Sequence, residues 1–199
     1  MKFFQTVYNT AHTPEEAAVA AKYDLIVVKQ TPAAGGSSHA AFTQWLGAVK
    51  SANPSIKILS YMIVAQEPGF FAPGVGNSIL MNWPSYAPYE QEPWLMTPAG
   101  DIAAITEGWK VRRLFDYRKP VWRDLFKQSV IAVMSSYSYD GMFFDNCTAS
   151  WAKHAPNQPA LTAALQSALL DIRYLYPDKY FVGNGAENWM GLNGEMNEG

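Results

Sequence analysis

The sequence predicts an α/β protein with a parallel sheet, of the TIM (β/α)8-type barrel class, with about six strands present. Aliphatic runs such as Leu25 to Val28 do not alternate with polar residues, as they would in a strand with one face exposed to solvent. Continuous apolar runs are typical of strands buried on both faces. Segments in which apolar residues recur at helical spacing separate these runs, so strands and helices alternate. Because no Gly-rich phosphate turn follows the first run, at Tyr8 to His12, we favour a barrel over a nucleotide-binding open sheet.

Each strand is predicted from a run of aliphatic, aromatic or β-branched residues. We expect strands at 3–8, 25–28, 56–64, 142–145, 180–183 and 192–198. The sixth strand is the least regular of these. The nine residues from Gly183 to Gly191 are short for a helical crossover between parallel strands, which usually takes about a dozen residues.

Four helices are predicted between the strands. The first has the clearest start, because Thr13 can cap it, Pro14 fits its first position and Glu16 completes a capping box. The other three follow from apolar residues at helical spacing, and we expect them to begin near Ser37 or Ser38, Pro120 and Leu161.

Residues 66–117 interrupt this alternation with many prolines and tryptophans. The segment contains too many prolines to form a regular core element and too many aromatic residues to be a linker. This composition predicts a functional loop. Either this loop packs against its own domain, or it stacks sugar rings on aromatic side chains such as Trp83, Tyr86, Tyr89 and Trp94.

The composition excludes several classes of partner. Fifteen Lys and Arg against seventeen Asp and Glu give a net charge of −2, which offers no basic field for nucleic acid. The longest apolar runs are far shorter than the roughly 20 residues of a membrane-spanning helix.

Cys147 is the single cysteine, and the three histidines lack the spacing of metal ligands. We therefore expect no nucleic acid, membrane, metal or cofactor.

We expect residues 1–199 to form a single, partial barrel domain. The chain is 49% hydrophobic and 16% charged, as a globular core requires. Since eight βα units take about 250 residues, about six fit here, which predicts a truncated product of a longer parent that could be secreted. No secretory signal is visible at the start of the sequence, and the sequence does not indicate in which cellular compartment the protein works. An unclosed sheet has unpaired edges, so we expect self-association through them.

Asp145 is the clearest catalytic candidate. It closes the run from Gly141 to Phe144, and reactive groups of parallel barrels lie at the carboxyl ends of strands. Its structural alternative is an aspartate that caps the next helix or accepts hydrogen bonds from loop amides. Glu198 is expected to be the second catalytic carboxylate, with Glu187 as its competitor. The alternative for Glu198 is a merely solvated residue near a terminus.

Further polar and aromatic residues near the strand ends and in the loop are candidate substrate contacts. We name Tyr61, Trp83, Trp94, Asn146, Asn184 and Glu187. Asp116 is another candidate, which either holds a sugar hydroxyl or pairs with a nearby arginine, namely Arg112, Arg113 or Arg118.

Three short tracts, Glu92 to Asp101, Leu114 to Tyr117 and Tyr139 to Asn146, together resemble barrel glycoside hydrolases. The resemblance covers most of the chain and is closest to the hypothetical glycosyl hydrolase families related to endo-α-1,4-polygalactosaminidase. It implies that Asp145 is an acidic catalytic residue on strand four, and that Glu198-Gly199 resembles the site of the second carboxylate.

Two departures from related patterns limit the resemblance. Phe143 and Cys147 stand where substrate-assisted chitinases have an Asp and a Glu, which excludes that chemistry. Ala65-Gln66-Glu67 replaces the Gly-Glu that usually follows the third strand in the polygalactosaminidase group, so the chain departs from that group's pattern at this position.

We therefore expect a glycoside hydrolase that cleaves a poly- or oligosaccharide with a pair of carboxylates. The alternative is a carbohydrate-binding barrel without turnover, or an inactive fragment of a glycosidase. Sugar binding without release of reducing ends would favour that alternative.

Overall fold

The computed structural model describes residues 5–8, 12–29, 39–64, 93–107, 110–148, 158–185 and 192–196. These ranges hold four helices, α1 (Pro14–Ala20), α2 (His39–Ala52), α3 (Pro120–Ser136) and α4 (Gln158–Leu175). All four were expected from the sequence. No helix in this part of the chain is long and apolar enough to cross a membrane.

The same ranges hold eight strands: β1 (Gln5–Tyr8), β2 (Leu25–Lys29), β3 (Lys57–Ile63), β4 (Ala104–Glu107), β5 (Lys110–Arg113), β6 (Gly141–Asp145), β7 (Tyr180–Asn184) and β8 (Gly194–Met196). Six of them form one sheet in the order β1-β2-β3-β6-β7-β8, and every adjacent pair is parallel. The predicted parallel sheet of six strands is confirmed. Within the described residues this sheet is open, because β1 pairs with β2 alone and β8 with β7 alone, so barrel closure is not observed.

The two faces of the sheet are buried in different ways. One face packs on the helices through residues such as Ile26, Val28 and Phe144, in a cluster that includes the buried side chains of α1 to α4. We call the other the inner face. It carries a separate cluster without a helical residue, consisting of Val27, Leu59, Tyr61, Ile63 and Phe143. Each member is at most 7% exposed, so strand side chains bury one another there.

The capping box at the start of α1 forms as the sequence predicts. Thr13 Oγ1 accepts a hydrogen bond from the Glu16 backbone N–H at 3.3 Å, and Glu16 Oε2 accepts one from the Thr13 N–H at 2.9 Å. After α2, the side-chain amide of Asn53 donates to the carbonyl oxygens of Ala21 and Tyr23, each at 3.0 Å. The end of α2 is thereby tied to the turn that leads into β2.

The segment 66–117 is more structured at its carboxyl end than the sequence predicts. Strands β4 and β5 pair as an antiparallel hairpin. Before and after this hairpin, Trp94 and Phe115 form an isolated bridge, stack with ring centroids 4.9 Å apart and lie in the core. The expectation that the segment stays out of the core is therefore wrong for these residues. Large apolar surface outweighed the turn signals of the surrounding prolines.

Asp140, directly before β6, accepts hydrogen bonds that connect neighbouring elements at the amino edge of the sheet. Asp140 Oδ2 accepts hydrogen bonds from Lys50 Nζ at 2.6 Å and from the Ile58 N–H at 2.8 Å. The carbonyl of Asp140 accepts a bond from the Tyr180 N–H at 2.8 Å. One residue later, a Cβ on Gly141 would lie 1.7 Å from the carbonyl oxygen of Tyr180. Strands β6 and β7 therefore approach closely only because residue 141 has no side chain.

We expect Gly141→Ala to lower the free energy of unfolding by about 3 kcal/mol or more, because the methyl group would collide with backbone that cannot rotate away. Gly47→Ala is the matched control. Residue 47 is exposed in α2 and has open space around its Cβ position, so this variant should gain about 0.5 to 1 kcal/mol of stability from helix propensity. Urea unfolding followed by circular dichroism measures both. Equal stability of the two variants would contradict the close approach.

Candidate functional site

The carboxyl edge of the sheet brings together side chains from three adjacent strands. Asp145 ends β6 and Asn184 ends β7, while Tyr61 lies near the end of β3. In the register, Tyr61 lies opposite Phe143, and Ile63 opposite Asp145. Because strand side chains alternate between faces, Asp145 shares the inner face with Phe143, and Asn184 shares a face with Val182, which packs on the inner cluster. The three polar groups therefore meet at one end of the inner face.

The carboxylate of Asp145 is the centre of this group. The Tyr61 hydroxyl donates a short hydrogen bond to Asp145 Oδ2. Asn184 Nδ2 donates to Asp145 Oδ1 at 2.8 Å, and the backbone N–H of Asn146 donates to the same oxygen, also at 2.8 Å. Tyr61 and Asn184 are 7% and 8% exposed, whereas Asp145 is only half-buried. The carboxylate is thus held from both neighbouring strands and keeps some access to solvent.

A tight turn after β6 supports this arrangement. Asn146 has a φ of +53°, a left-handed conformation that asparagine tolerates better than most residues. This turn aims the Asn146 N–H at Asp145 and lets the Cys147 N–H donate to the carbonyl of Asn184 at 2.8 Å. The ends of β6 and β7 are therefore joined by main-chain as well as side-chain bonds.

The structure brings four of the predicted site residues together: Tyr61, Asp145, Asn146 and Asn184. The link from Tyr61 to Asp145 is not visible in the sequence, where Tyr61 was expected to contact substrate. The only signal for it is the register of two strands far apart in the chain. Of the structural alternative for Asp145, the bond from a loop amide is observed, from the Asn146 N–H, whereas no bond from the following helix is among its described hydrogen bonds.

Two predicted substrate contacts have other roles. Trp94 has no exposed surface; one side of its ring stacks on Phe115, and the guanidinium of Arg113 lies 4.2 Å from its ring centroid. Of the two interpretations left open for the loop aromatics, packing against the domain therefore holds for Trp94, and its stacking on a sugar ring is wrong. Asp116 is 5% exposed and pairs with Arg118 through bonds of 2.8 Å to each carboxylate oxygen. Of the two readings left open for Asp116, the structure shows the ion pair, which also raises the pKa of Arg118.

Three further candidates, Trp83, Glu187 and Glu198, lie outside the described residues. The second carboxylate and its distance from Asp145 therefore stay predictions. In the described part of the chain, no cluster of His, Cys, Asp and Glu side chains could hold a metal ion.

Cys147 lies two residues beyond Asp145 and is completely buried. Burial raises the pKa of the Cys147 thiol, and the nearby Asp145 adds to this effect. Burial likewise raises the pKa of Tyr117, whose hydroxyl donates to the carbonyl of Thr148 at 3.3 Å. The thiol is therefore a packed core group and is protonated at neutral pH, which is the opposite of what a nucleophilic cysteine needs.

No protein-family model matches this chain, and no curated protein matches it. Solved structures do match its fold. It resembles the glycoside hydrolase domain of PelA from Pseudomonas aeruginosa, with a TM-score of 0.57 at 13% identity. It also resembles an α-galactosidase from Thermus thermophilus, with a TM-score of 0.62 at 10% identity, and the maltogenic α-amylase AmyB from Thermotoga neapolitana, with a TM-score of 0.61 at 11% identity.

These alignments cover 91%, 96% and 98% of this chain, but only 58%, 40% and 49% of the three other chains. The chain thus spans about half the length of the structures it matches. At such low identity the likeness shows the fold alone. The chain has the mixed α/β fold, with a parallel sheet, that occurs in these glycoside hydrolases.

We expect Cys147 to resist thiol reagents in the folded protein at neutral pH and to react stoichiometrically after unfolding in urea. Labelling must wait for local opening, so it should be about 10³-fold slower or more than in the unfolded chain. Ellman's reagent measures both rates. Rapid labelling under native conditions would show that the carboxyl edge beside Asp145 opens easily.

Proposed function

We propose that this protein is a glycoside hydrolase that acts on a poly- or oligosaccharide, with Asp145 as one of two catalytic carboxylates. The observation that carries this proposal is the group of Tyr61, Asp145 and Asn184 at the carboxyl edge of the sheet. In parallel α/β architectures the reactive groups lie at this edge. The fold that the chain shares with glycoside hydrolases supports the same class of reaction.

The sheet is proposed to be part of a (β/α)8 barrel. Six parallel strands follow one another in chain order without a reversal, as in a barrel and unlike a doubly wound sheet. The buried residues of all four helices belong to the cluster on one face, whereas doubly wound sheets carry helices on both faces. The inner face is buried by its own side chains, which is how barrel interiors are filled.

Hydrolysis by this route needs a second carboxyl group, for which Glu198 and Glu187 are the proposed candidates. Asn184 pairs with Met196 in the register, so residue 198 follows two positions beyond the strand that borders the site. The reaction passes through an oxocarbenium-like state, in which one carboxyl group protonates the glycosidic oxygen and the other attacks or activates water. A separation of about 5 to 5.5 Å between the two groups implies retention, and about 6.5 to 9.5 Å implies inversion.

The test begins with a panel of aryl α- and β-glycosides and polysaccharides, including p-nitrophenyl α-D-galactopyranoside, a compound bound by the Thermus enzyme. We expect turnover of at least one of them. Asp145→Asn should then lower kcat by about 10²- to 10⁴-fold, since it removes the charge from the central group of the site while keeping its shape.

Asp178→Asn is the matched control, because Asp178 is exposed in the turn before β7, at the opposite edge of the sheet. This variant should keep full activity. Urea unfolding should show that both variants are folded. Sugar binding by the wild-type chain without release of reducing ends would favour the non-catalytic binding barrel instead. Unchanged turnover in Asp145→Asn would remove Asp145 from the mechanism.

A further inference from the structure

We infer that Arg173 and Asn193 are positioning residues that set the register of β8 against β7 and thereby place β8 at the candidate site. The inference rests on the proposed function, because β8 leads to Glu198, a proposed second carboxylate. It follows from the hydrogen bonds that join the end of α4, the turn before β7 and the residue that precedes β8.

Asn193 pairs with Phe181 through its backbone and through its side chain. The Asn193 N–H donates to the carbonyl of Phe181 at 2.6 Å. Asn193 Oδ1 accepts a hydrogen bond from the Phe181 N–H at 2.7 Å, so a side-chain oxygen takes the role that a backbone carbonyl has in a regular ladder. Directly after this pair, Val182 lies opposite Gly194 in the register. Hydrogen bonds are directional, so both bonds form only when residue 193 lies beside Phe181.

Arg173, in the last turn of α4, holds the Asn193 side chain in place. Its Nη2 donates a short hydrogen bond to Asn193 Oδ1, the same oxygen that accepts from Phe181. Its Nη1 donates to the carbonyl of Lys179 at 2.7 Å, and its Cζ lies 5.1 Å from the ring centroid of Phe181. The guanidinium therefore bonds at once to the turn before β7 and to the residue before β8, which the fixed planar fork of arginine allows.

Strand β8 has few other features that could fix its register. It has three residues, begins with a glycine and pairs with β7 alone among the described residues. Residues 185–193 connect it to β7, and this connection is shorter than the roughly 12 residues of a helical crossover. Leu192 packs on the cluster at the helical face of the sheet, but an apolar contact has no preferred direction. Because short, glycine-containing strands slip easily, the register depends on the bonds of Asn193.

The register of β8 bears directly on the site. Met196 pairs with Asn184, whose side chain donates to Asp145. A slip of one residue would exchange the residues of β8 between the two faces of the sheet. Glu198 follows Met196 by two positions, so we expect it to reach the inner face only in the observed register. The two positioning residues touch no substrate and act on the reaction through β8.

Amide hydrogen exchange at Phe181 tests the register without substrate. Asn193→Ala removes the acceptor Oδ1, so we expect the Phe181 amide to exchange about 10-fold faster, the factor that loss of one hydrogen bond brings. At neutral pH, Asn193→Asp keeps an acceptor oxygen in the same place, so the Phe181 amide should keep its wild-type rate. Two-dimensional NMR follows the exchange.

The Ile58 amide is the internal control for this measurement. It also donates to a side-chain oxygen at the amino edge of the sheet, that of Asp140, and its exchange rate should not change in Asn193→Ala. An unchanged Phe181 rate in Asn193→Ala, or an equal acceleration at Ile58, would overturn the inference.

Arg173→Lys tests the contribution of the guanidinium. One ammonium nitrogen cannot occupy both positions that Nη1 and Nη2 hold, so we expect Phe181 exchange to accelerate as in Asn193→Ala. Tyr174→Ala is the matched control, since Tyr174 is the next residue of α4 and is 80% exposed. It should behave as wild type. Equal exchange rates in Arg173→Lys and Tyr174→Ala would overturn the role of Arg173.

Turnover connects the register to the reaction. On any glycoside that the wild type cleaves, Asn193→Ala should lower kcat by about 10- to 10²-fold with little change in KM, since a displaced carboxyl group affects the chemical step more than binding. Asn193→Asp should keep the wild-type kcat. Full turnover in Asn193→Ala despite faster exchange would overturn the link between β8 and the reaction. Absence of turnover on every glycoside would refute the proposed function, while the exchange rates would still decide the register.

Discussion

The fold and the candidate site both depend on the close contact between β6 and β7 at Gly141. Only a residue without a side chain lets these backbones pair so closely beside Tyr180. That pairing continues to Phe144 opposite Gly183, which leaves Asp145 and Asn184 side by side at the carboxyl edge. Because the side-chain period of a strand is two, a slip of one residue would turn the Asp145 side chain to the opposite face. The chemistry at one edge is therefore set by a steric constraint at the other.

Elements with a local chemical signal could be predicted from the sequence. Thr13 and Glu16 form the capping box that their spacing indicates, and the run that ends at Asp145 is a buried strand. These predictions succeed because the interactions responsible lie within one turn of helix or one strand. The position of Asp145 at the carboxyl edge could be predicted for the same reason, because it requires only that the run before Asp145 form a parallel strand.

Features that depend on contacts between distant segments could not be predicted. The bond from Tyr61 to Asp145 requires the register of β3 against β6, which no local pattern encodes. Trp94 was misassigned because prolines around it indicate a loop, whereas its burial is decided by Phe115 and Arg113 across the hairpin. The hairpin itself was missed because strands as short and polar as Ala104–Glu107 and Lys110–Arg113 carry no clear alternation.

The pairing of β3 with β6 also has a consequence for how the molecule folds. Tyr61 and Asp145 are separated by 84 residues, and the segment between them must close as a loop before their strands can meet. Loop-closure entropy and the crossover that every parallel pair requires make such contacts slow to form. The hairpin and the capped helices can form from local contacts alone. The group of Tyr61, Asp145 and Asn184 cannot, so its assembly reports that the long-range pairing of β3 with β6 is complete.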